Sequence, residues 1–236
     1  MWAIVRKELN SFFSSYIGLG LMLSFYVLMG LYTWFFQGNT LEYGFAELSV
    51  FFDLSPWFFL FFIPAICMRL FAEEFEFKTF QLLRGLPIRL EGILFGKWLS
   101  MGIVLICLLV PTWLFVYSVG QLGSPENNFD FALVIGGYLA LFLVALSFVS
   151  LCALASSLTN KQTLAFVLGL VFNFICWQGP QELASFLGLD WQFNSLYYYY
   201  QNMSRGVLPL NGLVYFFGFN GLVLGLIWLR LRRVSS

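Results

Sequence analysis

From Phe131 to Leu158 the chain runs 28 residues without a charged side chain. A helix of about 20 apolar residues crosses the hydrocarbon of a bilayer. In lipid every backbone polar group must be satisfied within the protein, so a run of this kind becomes a helix or nothing stable. The length exceeds the need, so this span is expected to tilt or to extend past the bilayer. Five further runs have the same character: residues 16–36, 54–72, 98–119, 162–179 and 210–229. The second of these is interrupted by Pro56 and Pro64 and carries Arg69 near its end. Charged residues make up 10% of the chain, against about 25% in a soluble domain. The expected fold is all-α: a polytopic membrane protein with six transmembrane helices, forming one domain over residues 1–236.

The segments between the runs are short and differ in kind. Ahead of the first, Trp2, Val5, Leu9, Phe12 and Phe13 recur at three- and four-residue steps and make one stripe on a helix. Lys7, Glu8, Asn10 and Ser11 face away from it. This is the pattern of an amino-terminal interfacial helix, or else of the first span's own beginning. Residues 180–209 mix Glu182, Asp190 and Arg205 with short apolar pieces and with interfacial aromatics such as Trp191 and Tyr197. They read as a re-entrant segment between spans five and six.

Lysine and arginine decide orientation. Six spans put Arg6, Lys7, Arg69, Lys78, Arg84, Arg89, Lys97, Lys161, Arg230, Arg232 and Arg233 on one side and only Arg205 on the other. Both termini and the segment between spans two and three are therefore expected in the cytoplasm.

That segment, Arg69 to Lys97, holds nine of the 24 charged residues, twelve basic and twelve acidic in all. Placed on one helix, Phe71, Phe75, Leu82 and Leu86 share a stripe about 60° wide, at roughly 100° per residue. Phe77 and Phe80 fall outside the stripe, among Glu73, Glu76 and Arg84. Aromatics ringed by charge suit a protein-docking surface; they suit the lipid headgroup region as well. Span four carries a run of small residues, and Ser150, Ala153 and Ser157 are its candidate helix–helix contacts, within the chain or across a dimer.

Several chemistries lack their residues. There is no histidine, and Cys67, Cys107, Cys152 and Cys176 stand singly in apolar runs, so no metal or redox spacing arises. A net charge of zero gives no basic field for nucleic acid. Gly92 to Lys97 imitates a phosphate-binding loop, but its glycine spacing is one short and Trp98 stands where Ser or Thr would hold magnesium. No catalytic residue, metal or cofactor is expected in this chain.

Met68-Arg-Leu-Phe-Ala-Glu-Glu74, Lys78-Thr-Phe-Gln-Leu-Leu83, Leu86-Pro-Ile88 and Gly96-Lys97 together resemble the loop between spans two and three of ABC-2 type transporter permeases. Lys78 departs from the pattern, because the family often has glycine before this threonine. The amino-terminal Met1-Trp-Ala-Ile4 and Lys7-Glu-Leu-Asn-Ser-Phe-Phe-Ser-Ser15, with Ser55-Pro-Trp57 and Ser204-Arg-Gly-Val207, extend the likeness to the permeases of gliding-motility-associated ABC transporters of Bacteroidetes-type bacteria. The resemblance implies a permease subunit that couples ATP hydrolysis in a separate, homodimeric ATPase to export or to mechanical work, alongside a second permease or a second copy. It makes the loop a coupling helix, with Glu73, Glu74, Phe77, Lys78, Phe80 and Arg84 as the ATPase-docking candidates. The rival reading is a secondary transporter or channel subunit with no ATPase. Against it, the span interiors hold no ionisable group of the kind such carriers usually keep.

Overall fold

The computed structural model describes residues 1–36, 48–85, 89–122, 130–188 and 195–234. Among them regular structure is entirely helical, and six helical stretches are long and apolar enough to cross a membrane. Helix α1 (Trp2–Phe13) precedes the first span, α2 (Tyr16–Trp34). The second span is α3 (Ser49–Cys67), followed by the short helices α4 (Ala72–Glu76) and α5 (Phe80–Arg84). The third is α6 (Leu90–Leu109), continued through a 3-10 turn at Val110–Thr112 into α7 (Trp113–Leu122). Then come α8 (Phe131–Leu158), α9 (Gln162–Leu187), the short α10 (Leu196–Ser204) and α11 (Leu210–Val234).

The 28-residue uncharged run is α8, with the bounds its composition predicts, and the fold is built around it. Helices α3, α6, α9, α10 and α11 all pack on α8, while α2 lies outside, against α3. Small side chains permit this crowding. A Cβ added to Gly136 would lie 2.9 Å from the Cα of Gly206, so α8 and the turn after α10 touch backbone to backbone. Gly206 itself sits at φ 83°, a conformation L side chains rarely adopt. Asp130 starts α8 by accepting a hydrogen bond from Ala132 N at 2.9 Å, a side-chain N-cap.

Prolines interrupt three spans, and two of the carbonyls they orphan are recovered by tyrosines. Pro56 cannot donate to Phe52 O; the hydroxyl of Tyr200, from α10, donates to that oxygen instead. Pro111 likewise frees Cys107 O, and Tyr26 on α2 donates to it at 3.3 Å and to Leu108 O at 3.0 Å. Both contacts tie an otherwise peripheral helix to a proline site. In lipid such recapture is what makes a proline tolerable.

Several span limits differ from the sequence expectation, for one physical reason. Helix α3 begins five residues early and takes in Asp53, α6 begins eight early and takes in Glu91 and Lys97, and α9 continues through Pro180 to take in Glu182. A charge does not end a helix when it can reach the interface or a partner. Helix α3 also stops at Cys67 rather than near residue 72. The segment read as re-entrant divides into the end of α9, residues 189–194 outside the described set, and α10, whose Leu196, Tyr200 and Met203 are buried.

Candidate functional site

The segment after α3 is not one helix. It consists of α4 and α5, five residues each, separated by a turn at Phe77–Thr79 in which Lys78 has φ 56°. The accounting at 100° per residue fails across that break, so the predicted stripe does not form. Phe80, expected to face outward beside Phe77, is buried with its ring edge-on to Phe75, 5.0 Å between centroids. Phe71 is buried too. Exposed instead are Phe77 at 66% and Leu82 at 74%, with Glu76, Lys78 and Gln81 around them. The side chain of Arg84, and Leu86 entirely, lie outside the described residues.

Lys78 sits in the left-handed region of the backbone, which favours glycine. A left-handed conformation costs an L-residue roughly 1–2 kcal/mol. Lys78→Gly is therefore expected to be neutral or stabilising by about 1 kcal/mol, where the same change inside a helix costs about 1 kcal/mol. Thermal unfolding of the detergent-solubilised protein measures the sign.

Beneath this surface is an ionic anchor that joins three elements. Lys97, two turns into α6, is 2% exposed, and its ammonium lies 2.8 Å from Glu74 Oε1, 3.0 Å from Glu8 Oε1 and 2.6 Å from Leu70 O. Lys7 adds a second cation, 3.4 Å from Glu74 and 3.7 Å from Glu8. The ring of Phe71 lies 5.4 Å from the Lys97 ammonium, close enough for a cation–π contact. Two cations and two carboxylates balance. A buried charge is tolerated only when partners of this kind surround it.

The anchor corrects two expectations. Glu8, placed off the apolar stripe and expected on the polar side of an interfacial helix, turns in to Lys97. Glu74, expected to offer its carboxylate to an ATPase, is buried and already paired. It also explains why α1 lies on the bundle. Ile4 and Val5 are buried against α6, and a Cβ on Gly96 would come within 3.2 Å of Ile4 Cβ. Glu73, by contrast, is half-buried at a cleft that it shares with Arg69, Ser11 and Ser15.

A second fastening comes from α8. Where the chain leaves α3 and enters α4, its amides lack helical acceptors. The hydroxyl of Ser156 accepts from Phe71 N and Ala72 N, both at 2.9 Å, and donates to Met68 O at 3.1 Å. Ser156→Ala strands two buried amides and a part-buried carbonyl and is expected to cost about 2–3 kcal/mol in unfolding free energy, at about 1–3 kcal/mol per unsatisfied buried group with partial relaxation. Denaturation against wild type in the same detergent checks it.

The small residues of α8 are covered from within the chain. Ser150 accepts from Trp98 Nε1 at 2.8 Å and donates to Asn220 Oδ1 at 2.5 Å, while Asn220 Nδ2 donates to Ser147 Oγ at 3.0 Å. Ala153 and Ser157 are buried, the latter with its hydroxyl on Leu154 O.

The architecture is that of a polytopic membrane subunit: a helical bundle carrying, between spans two and three, a short double-helix projection fastened to α1, α6 and α8. The chain belongs to the ABC-2 family of transporter proteins, whose family model matches residues 2–186, from α1 through most of α9 and thus across the whole projection. It is a membrane permease subunit of an ABC transporter. No curated protein matches the chain at a significant level.

Proposed function

We propose that this permease couples ATP hydrolysis by a separate ATPase subunit to export or to mechanical work, and that the ATPase docks on the exposed face of α4 and α5. The observation that carries the reading is the pairing of a bare face with a rigid root. Phe77 and Leu82 stand out from the protein, with Lys78 between them, on a segment that Lys97 and Ser156 tie to α1, α6 and α8. Exposed apolar anchors within a polar rim are the composition of protein-binding hot spots. A displacement of the docked face is transmitted because the contacts at the root are short, buried and directional. The Lys97 ion pairs carry it to α1 and span three, and the Ser156 hydroxyl carries it to span four.

Eleven of the twelve lysines and arginines fall on the side of this projection, which supports a cytoplasmic placement for it and for both termini in a bacterial inner membrane. The ATPase acts as a homodimer in this reading, and a second permease or a second copy of this chain completes the membrane part. The likeness to gliding-motility permeases makes mechanical work one form of the output.

Purification of the tagged chain from its native membranes tests the proposal. An ABC ATPase recovered in near-stoichiometric amount, with ATP hydrolysis that depends on the permease, supports it. A chain that transports solute down an ion gradient with no ATPase in any mild detergent or nanodisc supports the secondary-transporter or channel reading instead.

A further inference from the structure

We infer that the cleft between α1, the start of α2 and the end of α3 binds one phospholipid whose headgroup carries both a phosphate and a primary amine. The cleft is shallow and half open to its surroundings. Its rim holds Ser11, Ser15, Arg69 and Glu73, and its floor is apolar, with Leu21, Ile66 and Met101.

The charges at the rim define the ligand. Arg69 follows the last turn of α3 and is exposed, and its guanidinium makes no ion pair or hydrogen bond among the described residues. Glu73, four residues on, has a half-buried carboxylate that is equally uncommitted, and the two do not pair with each other. Glu8 also lines the cleft, but Lys97 holds it at 3.0 Å. Among the described residues one free cation and one free anion therefore stand over an apolar floor.

A guanidinium fork matches a phosphate. A carboxylate accepts hydrogen bonds from an ammonium that has N–H groups, as a primary amine does and a trimethylammonium does not. A headgroup with negative charge alone meets repulsion from Glu73, and a water-soluble zwitterion leaves the floor unused. The depth is right for a lipid. Trp2 and Phe13 on α1 point away from the protein, as on a helix lying in the membrane interface, and α2 enters the bilayer directly after Ser15.

The test uses the full chain purified in detergent and titrated with phosphatidylethanolamine, phosphatidylcholine or phosphatidylglycerol of identical acyl chains. Lipid retention by native mass spectrometry and the shift in unfolding temperature are both read. Phosphatidylethanolamine is expected to bind about tenfold more tightly than the other two, the scale of one charge-assisted hydrogen bond. Glu73→Gln is expected to abolish the preference for the primary amine over phosphatidylcholine. Arg69→Ala weakens all three lipids about tenfold on the same scale, and soluble phosphoethanolamine gives no shift. Among the described residues neither side chain has a partner, so both variants are expected to remain folded and readable. Equal binding of the three lipids by wild type, an undiminished preference in Glu73→Gln, or a shift with phosphoethanolamine as large as with the lipid overturns the assignment.

Discussion

Lys97→Met is expected to destabilise the protein by about 3–5 kcal/mol, the usual cost of removing one partner from a buried ion pair. Methionine keeps the length and much of the shape of lysine, so the loss is not a cavity effect. What remains is Glu74 and Glu8 facing the emptied position, with only Lys7, whose side chain is 58% exposed, as counter-ion. One oxygen of Glu74 already lacks a hydrogen-bond partner in the intact cluster, so this carboxylate has nothing in reserve. Removing the whole charge set has a different expected outcome. Replacing a complete buried ionic group by apolar residues of similar volume is often neutral for stability, so Lys97→Met combined with Glu8→Met and Glu74→Met is expected to recover most of the loss. Chemical unfolding of the single and triple variants in one detergent gives both values. A single variant as stable as wild type removes the cluster as the root of the projection. The recovered triple variant then isolates coupling: it is expected to assemble with the ATPase yet to link hydrolysis poorly to permease movement, because the directional ties among α1, α4 and α6 are gone.

The paired variant Phe77→Ala with Leu82→Ala is expected to weaken ATPase association by about 2–4 kcal/mol, roughly 30- to 1,000-fold, at the 1–2 kcal/mol or more that each truncated interface anchor costs. Neither side chain supports the bundle, since both stand out from it, so the variant is expected to insert and unfold as wild type does. Phe80→Ala behaves in the opposite way. Its ring is buried against Phe75, and truncation is expected to cost about 3–5 kcal/mol of stability, with any effect on the ATPase following from that. Unfolding and association measured on the same preparations separate the two roles.

Six spans are readable from this sequence because a run of twenty uncharged apolar residues has few other fates. Helix α8 matches its run end to end for that reason. Misplaced boundaries arise where a charge was taken as punctuation. Lys97 reads as the last residue of a polar loop, yet Leu90-Glu-Gly-Ile-Leu-Phe-Gly-Lys97 continues as helix because Glu8 and Glu74, 89 and 23 positions away, come to meet the ammonium. No local pattern announces those partners. Of the expected outward pair, Phe77 is exposed and Phe80 is buried, because a left-handed residue at Lys78 splits the presumed helix between them. The one available signal was the family's frequent glycine at that position, which marks a backbone that leaves the helical region. Ser156 sat visibly among the small residues of span four, but its role depends on two amides from the junction between α3 and α4. Pro56 and Pro111 are visible in the sequence, but nothing in the chain order pointed to Tyr200 and Tyr26 as donors to the carbonyls they orphan.

We propose that the face bearing Phe77 and Leu82 meets the ATPase rather than lipid. Site-specific photo-crosslinking in intact membranes tests it most directly, with a photoreactive amino acid placed in turn at Phe77, at Leu82 and, as a control from the opposite end of the bundle, at Phe131. The account predicts a covalent adduct of permease and ATPase from Phe77 and from Leu82, weakened or rearranged when ATP is added, and none from Phe131. Adducts with lipid alone at both positions, while the ATPase remains in the complex, would contradict it.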